Sequence, residues 1–130
     1  MPNLNCTTPE QSKVLIRLGL NAKTADYYWD YDVQKHEYYP MFMDDQYNDL
    51  CIPAWSLGAL LELMPISITY KDRHLRLRMD KGETDFDVWY DNLDDGCASD
   101  IDFIANTPLD AVYEMMCWLM KEGYVGDASK

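Results

Sequence analysis

The chain has 130 residues, 48% of them apolar and 13% aromatic, and a net charge of −12. That is enough for one domain with a single core, too apolar for a disordered protein, and without any run near the ~20 apolar residues of a membrane-spanning helix. The negative charge argues against direct binding to nucleic acid or anionic membranes, both of which need a positive surface; it favours solubility and permits a basic protein as partner.

Met1-Pro2-Asn3-Leu4-Asn5 has neither the basic start nor the apolar stretch of a signal peptide, so a cytoplasmic location is expected. Thr8-Pro9-Glu10-Gln11 supplies a hydroxyl cap, a proline at the first helical position and a Gln three residues after the cap. Val14, Leu15 and Leu18 give that helix an apolar stripe, and Gly19 ends it. A second, short helix is expected over Ala22 to Tyr28.

Residues 26 to 47 hold eight aromatics among acidic side chains and follow no clean period. The expectation there is a long connection with one short strand near Tyr38 to Met43. Tyr and Trp mixed with Asp is a composition suited to protein contacts, which makes Tyr27, Trp29, Tyr31, Tyr38 and Tyr47 candidate partner-binding residues. The competing reading is that Tyr28, Trp29, Tyr39 and Phe42 complete the core.

A third helix is expected to begin near Pro53, with Leu57, Leu60, Leu61 and Met64 on one face and Pro65 as its stop. Three period-2 segments follow. Ile66, Ile68 and Tyr70 alternate with polar residues, as do Leu75, Leu77 and Met79, and then Phe86, Val88 and Tyr90. The short breaks between them make these strands antiparallel neighbours. Placing apolar opposite apolar pairs Leu77 with Phe86 and Leu75 with Val88. It sets Arg78 opposite Asp85, Arg76 opposite Asp87 and His74 opposite Trp89. Arg76, Arg78 and Trp89 on the outer face of this hairpin are the remaining candidate partner-binding residues. A loop is expected from Asn92 to Ser99 and a fourth strand over Ile101 to Ala105. Thr107-Pro108-Leu109-Asp110 starts a last helix, whose stripe of Leu109, Val112, Tyr113, Met116 and Met120 is widened by Met115, Trp118 and Leu119. Gly123 closes it.

The fold class that follows is α+β: an antiparallel meander of three or four strands with helices on one face, preceded by a helical N-terminal segment. The expected organisation is one domain. Residues 1–50 make the helical segment and the aromatic-acidic connection, and 51–125 make a helix-strands-helix core.

Thr8-Pro9-Glu10-Gln11 with Leu18-Gly19-Leu20, Ala54-Trp55-Ser56-Leu57 with Leu60-Leu61-Glu62-Leu63-Met64-Pro65, and the run from Asn106 to Met120 resemble small uncharacterised proteins of Bacteroides genomes, their prophages and mobile elements. The core is also similar in layout to phage αβα sandwich domains of unknown function. The resemblance rests on core and capping motifs, so it implies a fold and a mobile-element setting and no activity.

No catalytic, cofactor-binding or metal-binding constellation is visible. Cys6, Cys51, Cys97 and Cys117 form no C-x-x-C pair and are expected to be reduced thiols. His36 and His74 lack zinc-ligand spacing. The run Asp91 to Gly96 matches part of a calcium loop, but Leu93 stands where an oxygen ligand is required. Residues 71–81 carry five basic side chains, and helix-strands-helix is also the order of double-stranded RNA-binding domains. The lysine cluster those domains place on their last helix is replaced here by Asp110 and Glu114. A non-enzymatic accessory or interaction protein is therefore expected, with a protein partner and no direct nucleic-acid or membrane contact. An acidic mimic of DNA is the alternative. The oligomeric state is left open.

Overall fold

A computed structural model of the chain describes residues 5–92 and 98–125. Helix α1 spans Pro9–Arg17, and its start is the expected capping box: the Thr8 hydroxyl accepts from Gln11 N, and the Gln11 side chain accepts from Thr8 N. A single 3-10 turn follows at Ala22–Thr24 in place of the expected helix to Tyr28. It stops there because the chain is already extended at Ala25 and enters strand β1, Tyr27–Asp32.

The aromatic stretch is a hairpin. Strand β1 pairs antiparallel with β2, Glu37–Phe42, in the register Tyr27↔Phe42, Trp29↔Pro40, Tyr31↔Tyr38. The turn is held by Asp32, whose Oδ1 accepts from Gln34 N at 2.9 Å and Lys35 N at 3.1 Å, with His36 left-handed at φ 56°. A third strand, β3, Ile52–Ala54, pairs with the other side of β1, so the order is β2-β1-β3. Pro53 thus lies in a strand, where a helix start was expected. Helix α2, Leu57–Leu63, begins later, because Ser56 is its cap: Ser56 Oγ accepts from Ala59 N. Asp26 holds that cap in place, accepting from Ser56 N at 2.8 Å and Ser56 Oγ at 2.5 Å.

The second sheet is the expected meander, with four strands in chain order: β4 Ser67–Tyr70, β5 Arg73–Lys81, β6 Phe86–Asn92 and β7 Ala98–Ala105. The β4–β5 turn is the two residues Lys71 and Asp72, both left-handed, the geometry that matches strand twist. Helix α3, Pro108–Lys121, is capped by Thr107 and buries Ala111, Val112, Met115, Met116, Cys117, Leu119 and Met120. It packs on β6, β7 and α2. Leu15, Leu20 and Trp55 join the same core, which gives it contributions from all three helices and the meander. Cys6, Cys51 and Cys117 are buried free thiols, and Cys97 lies outside the described residues.

The β5–β6 register differs from expectation. Leu77 pairs with Tyr90, Met79 with Val88, Arg76 with Asp91, Arg78 with Trp89 and Asp80 with Asp87. Strand β5 runs on to Lys81, and the turn takes the four residues 82 to 85, closed by Gly82 N donating to Asp85 O at 2.9 Å. Every partner therefore moves by four positions. Four is even, so each side chain keeps its face: Leu75 is buried and Arg76 exposed. The apolar match is equally good in both registers, but the observed one buries Tyr90 opposite Leu77 and lets its hydroxyl donate to Pro65 O at 2.7 Å. The expected one would have carried Tyr90 to the sheet end, opposite Arg73. Burying a ring of that size with its hydroxyl satisfied outweighs the two cross-strand ion pairs.

Met116 is fully buried among α3, α2 and sheet residues. Met116→Asp is expected to cost several kcal/mol, a large part of the ~5–15 kcal/mol stability of a small domain. Circular dichroism and solubility should report an unfolded or insoluble variant. A soluble variant with unchanged thermal melting would contradict this placement of the core.

Candidate functional site

Strand alternation gives the β1–β2 hairpin two chemically different faces. Tyr27, Trp29, Tyr31, Tyr38, Pro40 and Phe42 share one; Tyr28, Asp30, Asp32, Glu37, Tyr39 and Met41 share the other. On the first face the rings stand in cross-strand pairs: Tyr27 and Phe42 have centroids 4.9 Å apart, Tyr31 and Tyr38 5.0 Å. Trp29 lies between the pairs and is only 5% exposed. Cys6 and Ala54 pack on it, and its indole donates to Thr7 O at 2.7 Å. The N-terminal segment therefore covers the β3 side of this face and leaves the β2 side open. There Phe42 is 72% exposed, and Tyr31, Tyr38 and Pro40 are also open to solvent. Asn5, Tyr27, Pro40, Met41, Phe42 and Asp44 line a groove of about 370 Å³ beside it.

The opposite face is held down at one end. The loop after β2 folds back so that Tyr47 meets Tyr28 edge-on at 5.6 Å, and the Tyr28 hydroxyl donates to Asp44 Oδ1 at 2.8 Å. That hydrogen bond to a carboxylate, with burial, pushes the Tyr28 phenol up to about 12. Farther along, the Tyr39 hydroxyl donates to Asp30 Oδ2 at 3.1 Å, which also raises the Tyr39 phenol. Of the five aromatic candidates in this stretch, Tyr27, Trp29, Tyr31 and Tyr38 come together on one face, and Tyr47 lies on the other.

Arg76, Arg78 and Trp89 occupy the outer face of the four-stranded sheet. Arg78 Nε is 3.8 Å from Asp91 Oδ2, one step diagonal in the register, in place of the expected pairs with Asp85 and Asp87. The register instead brings carboxylates together: Asp80 lies opposite Asp87, and Asp102 is one diagonal step away on β7. Burial pushes the Asp87 carboxyl up to about 6, helped by a hydrogen bond with Asp102 and by the charges of Asp102, Asp85 and Asp80. One Asp87 oxygen is shielded from water without a hydrogen-bond partner. Among the described residues no three His, Cys, Asp or Glu side chains are placed to hold a metal ion. Residues 93–97, most of the calcium-like run, lie outside the described residues.

Pro40 and Phe42, which share the aromatic face of the hairpin, and Asn5, which lines its groove, were not among the candidates read from the sequence. The first two had a readable signal, since Tyr38-Pro40-Phe42 mirrors Tyr27-Trp29-Tyr31 at period 2. The signal was masked because Tyr28, Tyr39 and Met41 make the other face partly apolar as well. Asn5 had no signal, because its place in the groove comes from tertiary folding of the N-terminal segment.

A carboxyl whose folded pKa is raised favours the folded state when protonated. The contribution of Asp87 is fully present below its unfolded value of 3.8 and is lost as pH rises through about 6. Asp87→Asn is thus expected to raise thermal stability at pH 7.5 by on the order of 1 kcal/mol, allowing for solvent screening, and to give no gain at pH 4. Melting curves at the two pH values check this; a gain of the same size at both would contradict it. No family model matches the chain, and comparisons with curated proteins and with solved structures found no match either.

Proposed function

We propose that this protein is a non-enzymatic interaction protein that contacts a protein partner through the aromatic face of the β1–β2 hairpin, in the phage or mobile-element setting that the sequence resemblance implies. The observation that carries this is the open row of Tyr38, Pro40 and Phe42 on β2, with Tyr31 beside it on β1, the strand anchored by the buried Trp29. Aromatic rings with few rotatable bonds, rimmed by polar groups, are the composition of interface centres. The face is preorganised, because Trp29 fixes β1 and β1 fixes β2, so little ordering cost falls on binding.

A protein suits this surface better than nucleic acid. Arg76 and Arg78 share their sheet face with Asp80, Asp87, Asp91 and Asp102, and a patch so mixed attracts phosphates only within about 8 Å at physiological salt. The alternative of an acidic mimic of DNA draws on net charge alone and leaves the aromatic row without a role.

The experiment is affinity capture from the native host with the protein and with a Tyr38→Ser/Phe42→Ser variant, followed by titration of the purified partner. A partner that binds the parent protein at micromolar or tighter affinity, and the variant at least about tenfold more weakly, is expected. Both replaced side chains are exposed, so the variant should melt as the parent does. Full retention of binding by the folded variant, or no partner at all, would contradict the proposal.

A further inference from the structure

Resting on the interaction role proposed above, we infer that the occupant of this face is an extended proline- and arginine-containing segment of the partner. Three independent features of the hairpin point to that chemistry.

The first is the edge of the sheet. Strand β2 is an outer strand, and its free side could in principle accept another strand. Met43 N donates to Asp26 O at 3.0 Å, which fixes Tyr28↔Met41 and Asp30↔Tyr39 as the hydrogen-bonded pairs. The backbone groups of Tyr38, Pro40 and Phe42 therefore point away from β1, toward the free edge. At the middle of that edge stands Pro40, which has no N–H to give. A proline at this position is a guard against strand addition. A ligand must then gain its affinity from the face of the hairpin and not from backbone pairing.

The second feature is the relief of that face. The ring pairs Tyr27/Phe42 and Tyr31/Tyr38 stand four residues apart along the strands, about 14 Å. Between them the surface is Pro40, with the ring of Trp29 sunk beneath the N-terminal segment. A polyproline II segment advances about 9 Å per turn, carries no internal hydrogen bonds, and leaves its backbone solvated. One such turn fits between the ring pairs, and it asks for no donor from the β2 edge. Its stiffness limits the entropy lost on docking.

The third feature is charge. Residues 26 to 50 contain seven carboxylates and one lysine. Among the described residues none of those carboxylates lies within ion-pair distance of a cation, since the ion pair present is Arg78–Asp91 on the other sheet. Asp44 lines the groove beside Tyr27 and Phe42. Asp30, Asp32 and Glu37 sit on the reverse face of the same two strands and add to the negative field around the hairpin. A guanidinium seated in the groove can stack on the Phe42 ring and meet Asp44 with its N–H groups, which lysine does less well.

The test is fluorescence-polarisation titration of the intact protein with four labelled decapeptides: one of alternating arginine and proline, one with glutamate replacing arginine, one with glycine replacing proline, and one of alternating valine and lysine. Binding of the arginine–proline peptide is expected in the micromolar range. It should weaken at least about tenfold with Tyr38→Ser or Phe42→Ser and also in 0.5 M salt. Equal binding of the arginine–glycine peptide would reduce the effect to charge and overturn the inference. Preference for the valine–lysine peptide would show strand addition and overturn it too, as would self-association of the protein through this face. A captured partner that uses the face but offers no proline–arginine segment would overturn this inference while leaving the interaction role intact. A partner that ignores the face would remove both.

Discussion

Thr7 is the residue that ties the three-stranded sheet to α1 and to the start of α2. It is fully buried, and every polar group it has is used. Its N–H donates to Trp55 O at 2.9 Å, and its carbonyl accepts from the Trp29 indole at 2.7 Å. Its hydroxyl oxygen accepts from Trp55 N at 3.1 Å and lies 2.7 Å from Ser12 Oγ. One residue, through its side chain and both flanking peptide groups, thus connects α1, β1 and the junction between β3 and α2. Buried polar groups cost free energy unless they are satisfied, so a fully satisfied node of this kind specifies one geometry and penalises others. Trp55 extends the node, since its fully buried ring donates to Thr24 Oγ1 at 2.9 Å. Asp26 extends it on the other side by holding the Ser56 cap.

This node explains why a small hairpin can expose so many rings and remain a defined surface. Isolated two-stranded hairpins are marginal in water. Here β1 is pinned from both sides: Trp29 is clamped by the N-terminal segment on one face, and Tyr28 is closed over by Tyr47 and Asp44 on the other. Strand β2 then hangs on a fixed neighbour, with its outer edge guarded by Pro40. The four-stranded sheet plays a different part. Its inner face carries the main core with α3, while its outer face carries mixed charges with an unfavourable contact between Asp80, Asp87 and Asp102. The two sheets divide the work, one supplying most of the apolar burial and the other the open aromatic row.

Elements governed by local chemistry were legible in the sequence. The Thr8 and Thr107 caps with their following prolines marked the starts of α1 and α3, and period-2 alternation marked β4, β5 and β6. The α+β class with a meander followed from these. What was not legible depended on distant partners. Strand β1 was hidden because Tyr28 and Trp29 are both buried, each by a different long-range contact, so alternation of polarity fails there. The start of α2 at Ser56 depends on Asp26, thirty residues away. The β5–β6 register was set by Tyr90 reaching Pro65, which no pairing of Arg with Asp could anticipate. Four of the aromatic candidates were placed on one face by the register, yet Pro40 and Phe42, which complete the row, needed the strand assignment first. Thr7 itself has no sequence signature beyond lying next to a helix cap.

If Thr7 makes the hairpin and the core one cooperative unit, the Trp29 indole N–H can exchange with solvent only when the whole domain unfolds. Native-state hydrogen exchange followed by NMR reads this directly, with the Met116 amide in α3 as the internal reference for global opening. The account predicts the same free energy of opening for the Trp29 indole and for Met116, and the same response of both to low concentrations of denaturant. Exchange of the Trp29 indole orders of magnitude faster than that of Met116, insensitive to denaturant, would show that the hairpin opens on its own and would contradict the central role given to Thr7.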